Sequence, residues 1–207
     1  MKKMTTLMLA ALAYAGASAF AADYPNKPVR FIVAFPPGSA TDIVGRLYTQ
    51  KWTEMWGHQV IADNRPGAGG SIAAAIAAKS TADGYTLLMH SSGHTVNPSL
   101  YAKLPFDTLK DIVPVASTTI SQVVISVNPA VPVKNVREFI DYAKKQKDGL
   151  NVASPGQGSI GHLSAGLLAK RAGINIVYVP YQGGGPAINA LLNHDVDFYF
   201  GNASELL

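Results

Sequence analysis

The sequence predicts an α/β protein whose sheets are rich in parallel strands and are shared between two lobes. Three observations lead there. Apolar strand-like runs alternate with helix-like periodicity along the chain. Two such series follow one another and meet near Thr118–Asn128. Glycine-rich turns stand where strands give way to helices in both series. Each series is of ordinary domain size. The expected division is a leader over 1–21, a first lobe over 22–122 and a second lobe over 123–207.

The chain opens "MKKMTTLMLAALAYAGASAFAADYPNK". Lys2 and Lys3 supply a positive start, Met4 to Ala15 is mostly apolar, and Ala19-Phe20-Ala21 offers a small-residue cleavage site. This reads as a secretory signal peptide, with an apolar run too short to span a bilayer. Losing Lys2 and Lys3 removes two charges, so the formal net charge of +4 overstates the basicity of the processed chain. No Lys/Arg cluster interleaves with aromatics, which argues against nucleic acid as a partner. The run "AKKQK", Ala143 to Lys147, reads as a solvated helix end. There is no cysteine. An exported chain without disulfides relies on its packed core.

The first series starts with "VRFIVAF", Val29 to Phe35, a nearly continuous apolar run of the kind buried on both faces of a parallel sheet. After a Pro/Gly turn, Val44, Tyr48, Trp52 and Met55 or Trp56 recur on one helical face. Gln59 to Ala62 is a short strand, Asn64 to Ser71 a loop, and "SIAAAIAAKS" a helix. "YTLLMHS" from Tyr85 and "QVVISV", Gln122 to Val127, are further strands. In the second series Asn135 caps a helix with Glu138 at its third position, and Val136, Phe139, Ile140 and Ala143 form the inner stripe. "LNVAS", "INIVYVP" and "VDFYF" are strands. Pro186 suits the first turn of a helix carrying Ile188, Leu191 and Leu192.

Between "LNVAS" and the next helix lie Gly156, Gly158 and Gly161 in G-x-G-x-x-G spacing. In a chain with 19 glycines the bare motif is weak. A dinucleotide fingerprint wants an acid about 20 residues on, for the ribose. Tyr181 stands there, and the next acid is Asp195. What remains is the general property of a glycine turn at a helix start: close backbone approach, unpaired N–H groups and a partial positive charge, hence an anion site. Similar loops follow the other strands: "FPPGSATD", "NRPGAGGS", "HSSGHTVNP" and "VPYQGGGPA". Open parallel sheets bind ligands at the carboxyl ends of their strands. Two lobes could therefore aim amides at one small anion from both sides.

The motifs "PVRFIVAFPPGSATDIVGR", "NRPGAGGS", "DGYTLLM", "NPSLYAKLPFD", "VASPGQGSIGHL" and "VPYQGGGPA" resemble the extracytoplasmic solute receptors of tripartite tricarboxylate transporters, the Bug family. The resemblance runs from Asp23 to about Asn202. It implies a two-lobe periplasmic-binding-protein fold of Venus-flytrap, type II-like form. It also implies a periplasmic location, no catalysis and no cofactor. The ligand would be a small organic acid, the partners the membrane permease subunits of the transporter, and the receptor a monomer. Carried over by motif, Pro37, Gly38, Ser39, Ala40 and Thr41 form the first-lobe side of a carboxylate site, with Asp42 beside them. Ser154, Gly158, Ser159, Ile160 and His162 form the second-lobe side, Ala68 and Gly69 border the cleft, and Tyr181, Gln182 and Gly183 close it.

The chain departs from the family pattern in four places. Ser39 replaces the second glycine of P-G-G, Gly166 stands where an acid is common, and Gln182 stands where Lys is common. Family members also run on well beyond the position of Leu207, so the resemblance implies that the second lobe and the return to the first are incomplete here. Other readings stay open at this stage. Asp42 in a first helical turn is better explained by the helix dipole than by a ligand contact, since it would repel a carboxylate. His90 and His94 lie in a different loop from His162, and the three do not make up a metal-ligand set, so no metal is expected. An exported enzyme using Ser39 or Ser159 would need an adjacent base, and neither serine stands in a G-x-S-x-G elbow. A sensor or remnant of the receptor family is the third possibility.

Overall fold

The computed structural model describes residues 24–206. The expected signal peptide lies outside them. Two sheets organise the chain. The first has the order β2-β1-β3, formed by β1 (Val29–Val33), β2 (Val60–Asn64) and β3 (Thr86–Met89). Both pairings are parallel, with Phe31 opposite Ala62 and Leu87. The second has the order β4-β7-β5-β6, formed by β4 (Val123–Val127), β5 (Leu150–Ser154), β6 (Ile176–Pro180) and β7 (Phe198–Asn202).

The connections carry the helices that parallel pairing requires. These are α1 (Ala40–Trp56), α2 (Ser71–Ala78), α3 (Gly93–Leu100), α4 (Val136–Ala143), α5 (Ile160–Ala172) and α6 (Gly184–Leu192); a short α7 (Ala203–Leu206) follows β7. In the first sheet Val29, Phe31 and Val33 pack with Val60 and Met89 against Trp52 and Trp56 of α1. Ile32, Ala34 and Ala73 fill the opposite face. In the second, Phe139, Ala143, Val152, Ala165 and Phe198 form one core, and Ala153, Ala187, Leu191 and Tyr199 the other. Both sheets are thus covered on both faces, as their apolar runs require.

Several expectations need correction. Strand β4 runs antiparallel to β7. Alternation with helices argues for parallel strands, but residues 101–122, which lead into β4, contain neither helix nor strand. The crossover argument therefore never applied to it. "HSSGHTVNP" is not only a loop, since its second half forms α3 despite Pro98. Two stripes are narrower than predicted, with Val136 and Leu192 exposed, and of the alternatives Met55 and Trp56 it is Trp56 that packs inward. Strand ends shift by one or two residues, as in β7, which begins at Phe198 rather than Val196.

Candidate functional site at two facing helix starts

Helices α1 and α5 begin by the same local construction. Gly38 and Gly158 each adopt φ +80, a conformation that a side chain resists. Ser39 and Ser159 follow as N-caps in extended conformation, and each Oγ accepts the amide three residues on, from Asp42 and His162 at 3.3 Å. The residue at that position turns back to the glycine: Asp42 Oδ2 accepts Gly38 N–H at 2.9 Å, and His162 Nδ1 accepts Gly158 N–H at 3.5 Å. The amides of Ala40 and Thr41, and of Ile160 and Gly161, are those the caps leave over. Ser39 at φ −71 has no need of glycine. Its replacement of the family's second glycine supplies a cap.

The two starts meet. Ser39 and Thr41 from one, and Ser159, Ile160 and Gly161 from the other, line a single cavity of about 40 Å³. Gly183 and Gly184, at the uncapped start of α6, line it too. That space exceeds the ~10–15 Å³ one water needs but is far below the ~300 Å³ of a typical ligand pocket, so the crevice is narrow as it stands. A larger concavity, about 360 Å³, is built entirely from residues 68–105 and shares only Ala68 with the expected site. We take the smaller one as the site because both helix starts open into it, whereas the larger has mainly apolar walls.

The remaining predicted residues lie beside the cavity or away from it. Asp42 is buried with both oxygens engaged, by Gly38 N–H, the Arg46 guanidinium at 2.9 Å and the Asn64 amide at 2.8 Å. Burial on its own raises its pKa, but Arg46, Asn64 and the Gly38 amide outweigh that and hold the carboxyl below its ordinary range. Asp42 is thus spent on the helix start and does not line the cavity. The His162 ring packs against Tyr178 in a tilted arrangement, centroids 4.5 Å apart, and burial lowers its pKa. The Ser154 carbonyl accepts the Tyr181 amide at 2.8 Å, and Tyr181 packs on the core beneath Ala153. Pro37 and Gln182 are exposed. Gly166, where an acid was expected, leaves room for the Tyr178 hydroxyl, which donates to the His162 carbonyl at 3.0 Å.

Two residues that sequence reasoning missed stand at the junction. Asn97 of α3 is fully buried and donates to the Gly69 carbonyl at 3.0 Å. Its Oδ1 faces both Gly69 and Gly158, so it brings the two glycine loops together, although none of the three lines the cavity. Glu205 of α7 lines the cavity itself and accepts the Ala40 amide at 2.8 Å. Asn97 opens the motif "NPSLYAKLPFD" without having been singled out, and Glu205 belongs to no motif. Their only signal in the sequence is a lone amide and a lone acid beside glycine-rich segments.

Comparison with known proteins places this geometry. Residues 44–204 match the model of the tripartite tricarboxylate transporter family receptor. BugT of Bordetella pertussis is 37% identical over 171 residues, which cover 82% of this chain and 52% of BugT. A UPF0065 protein from the tcbD-tcbE intergenic region of a Pseudomonas species is 35% identical over 174 residues, 84% of this chain and 52% of that protein. The chain spans about half the length of these relatives. Among solved structures, an R. palustris protein with adipate superposes with a TM-score of 0.84 at 32% identity, over 88% of this chain and 61% of that one. MatC from Rhodopseudomonas palustris with bound malate gives 0.82 at 34% identity, over 88% and 63%. The periplasmic binding protein BugD gives 0.76 at 32% identity, over 86% and 60%.

Proposed function

We propose a function from one premise: the chain belongs to the tripartite tricarboxylate transporter receptor family. In this reading it is the receptor part of a transport system and captures a small carboxylate-bearing metabolite without transforming it. One observation carries the reading, namely that the starts of α1 and α5 open into the same cavity. Amides at helix starts, with Ser and Thr hydroxyls beside them, hold a carboxylate without needing a buried counter-charge. The named ligands of two structural neighbours, adipate and malate, are acids of this kind.

The ligand-contacting set on this reading is Ser39, Thr41, Ser159, Ile160, Gly161 and Gly183. Gly38, Asp42, Gly158 and His162 hold the two helix starts in shape. The two sheets form two lobes, 22–122 and 123–207, and the ligand enters when they part, since the cavity as it stands, about 40 Å³, is far below the ~300 Å³ of a typical ligand pocket. The receptor works as a monomer in the periplasm, delivered there by the signal peptide at 1–21, and hands its ligand to the permease subunits in the membrane. The hydroxyls that an enzyme would use as nucleophiles, those of Ser39 and Ser159, accept helix amides instead.

A thermal-shift screen of the folded protein against organic acids tests the reading. A ligand at 100 times its Kd adds about 2.7 kcal/mol to stability. The expected result is stabilisation by at least one acid, lost in a Thr41→Val, Ser159→Ala double variant. A folded sample that no acid stabilises overturns it.

A further inference from the structure

Glu205 places a negative charge inside the cradle that is proposed to hold a negative ligand. Its side chain reaches from α7 to the start of α1, where Oε1 accepts the Ala40 amide at 2.8 Å. Oε2 accepts the Tyr199 hydroxyl at 3.1 Å and the Asn202 amide at 3.4 Å. The start of α6 is equally close, because a Cβ on Gly184 would lie 3.0 Å from Oε2 and 3.1 Å from Cδ. The carboxylate therefore sits between two helix starts, held by amides and a phenol. Tyr199 is buried, and burial and the charge of Glu205 both raise its pKa, so it stays a donor. Among the described residues none of the ion pairs includes Glu205.

A carboxylate offers about four lone-pair sites. Three are engaged by these donors, and one is left for a group inside the cavity. A second carboxylate brought there would meet a like charge in a partly desolvated site, where neither is well screened. An ammonium would find a charge-assisted partner instead. The amides of Ile160 and Gly161 and the hydroxyls of Thr41 and Ser159, on the other walls, would remain for the ligand's own carboxylate.

We propose that Glu205 is a specificity-determining residue: it makes the cleft select an acid with one carboxylate and one ammonium group over the dicarboxylate of matching length. The inference rests on the carboxylate-receptor reading above and names the ligand class within it. Adipate and malate, the acids named with two structural neighbours, carry two carboxylates, so on this inference they are the class that this chain disfavours.

Matched pairs test it: β-alanine against succinate, 4-aminobutyrate against glutarate, 5-aminovalerate against adipate, and L-alanine against methylmalonate. Titration calorimetry is run on the wild type, Glu205→Gln and Glu205→Asp, each checked for folding by circular dichroism. In the wild type the amino acid of a pair binds at least tenfold more tightly than its dicarboxylate. Glu205→Gln narrows or reverses that ratio by tenfold or more, and Glu205→Asp keeps the wild-type order because it keeps the charge. A wild type that prefers the dicarboxylate overturns the proposal. So does a Gln variant that weakens both members of a pair by the same factor, which would make Glu205 a clasp between the lobes only. Binding of any acid in either case leaves the receptor reading standing. Failure of every member of every pair, together with a silent thermal-shift screen, removes that reading and this inference with it.

Discussion

At the scale of single residues, burial and local partners decide roles that residue type leaves open. Asp42 has the look of a ligand contact in a glycine-rich loop, yet its oxygens close a ring with Gly38, Arg46 and Asn64. His90 shows the opposite case, a histidine kept neutral by its surroundings. Its ring lies against Phe35 and His94, its Nδ1 hydrogen bonds the Ser91 carbonyl at 3.0 Å, and only the absence of a Cβ on Gly70 gives it room. Burial, with a smaller contribution from His94, pushes its pKa down to about 4. The unfolded chain takes up that proton near pH 6.5, so the group's contribution is complete above pH 6.5 and is lost as the pH falls toward 4. By pH 5 the loss is about 2 kcal/mol from His90 alone. Urea midpoints measured between pH 7.5 and 4.5 should fall along this course in the wild type. The fall should be clearly shallower in His90→Phe, and parallel curves would show that His90 does not carry it.

At the scale of elements, the helix starts are the informative units. Ser39 caps α1 and also lines the cavity, and substitutions separate the two roles. Ser39→Ala removes the acceptor for the Asp42 amide and costs about 1 kcal/mol, whereas Ser39→Gly costs a few tenths. Both remove the hydroxyl from the cavity. Chemical denaturation should therefore rank the two variants apart, while calorimetry with a bound acid shows a similar loss of affinity in both. Full affinity in Ser39→Gly would assign the serine to capping alone. Elements governed by local chemistry were legible in the sequence. Asn135 caps α4 by accepting the Glu138 amide as expected, the Glu138 carboxylate accepts in turn from the Lys134 amide and the Asn135 side chain, and "LNVAS" is β5 from end to end. The paired G-S starts were visible as motifs, and their meeting in one cavity followed from topology. What escaped depends on contacts far apart in the chain. Helix α3 contains Pro98 and opens with glycine, so its local signals read as a turn, and the buried Asn97 that anchors it hydrogen bonds 28 residues away. The direction of β4 is set by β7, about seventy residues later. Glu205 reaches an amide 165 positions earlier, a distance no periodicity reports.

At the scale of the molecule, the approach of the two sheets is governed by missing side chains. A Cβ on Gly69 would lie 2.8 Å from the Gln157 carbonyl, one on Gly93 2.9 Å from the Gly158 carbonyl, and one on Gly183 3.1 Å from Pro36. Each contact joins a residue of the first series to one of the second, and Gly183 among them also lines the cavity. Gly93 gives the cleanest test of whether this seam matters for binding, because its φ is not among the positive ones. As the first residue of α3 it would, on local grounds, tolerate alanine or gain up to about 1 kcal/mol from the better helix former. Across the seam the same methyl meets a backbone carbonyl, which cannot rotate away as a side chain could. Gly93→Ala should therefore leave the unfolding transition of the chain close to wild type while holding the sheets apart, so that acid affinity falls by tenfold or more and the radius of gyration with ligand stays larger. Gly185→Ala, whose Cβ would meet nothing within 4 Å, is the control and should bind as the wild type does. If Gly93→Ala closes and binds normally, the glycines along the seam only accommodate the fold, and control of closure must lie with Glu205 and the helix starts.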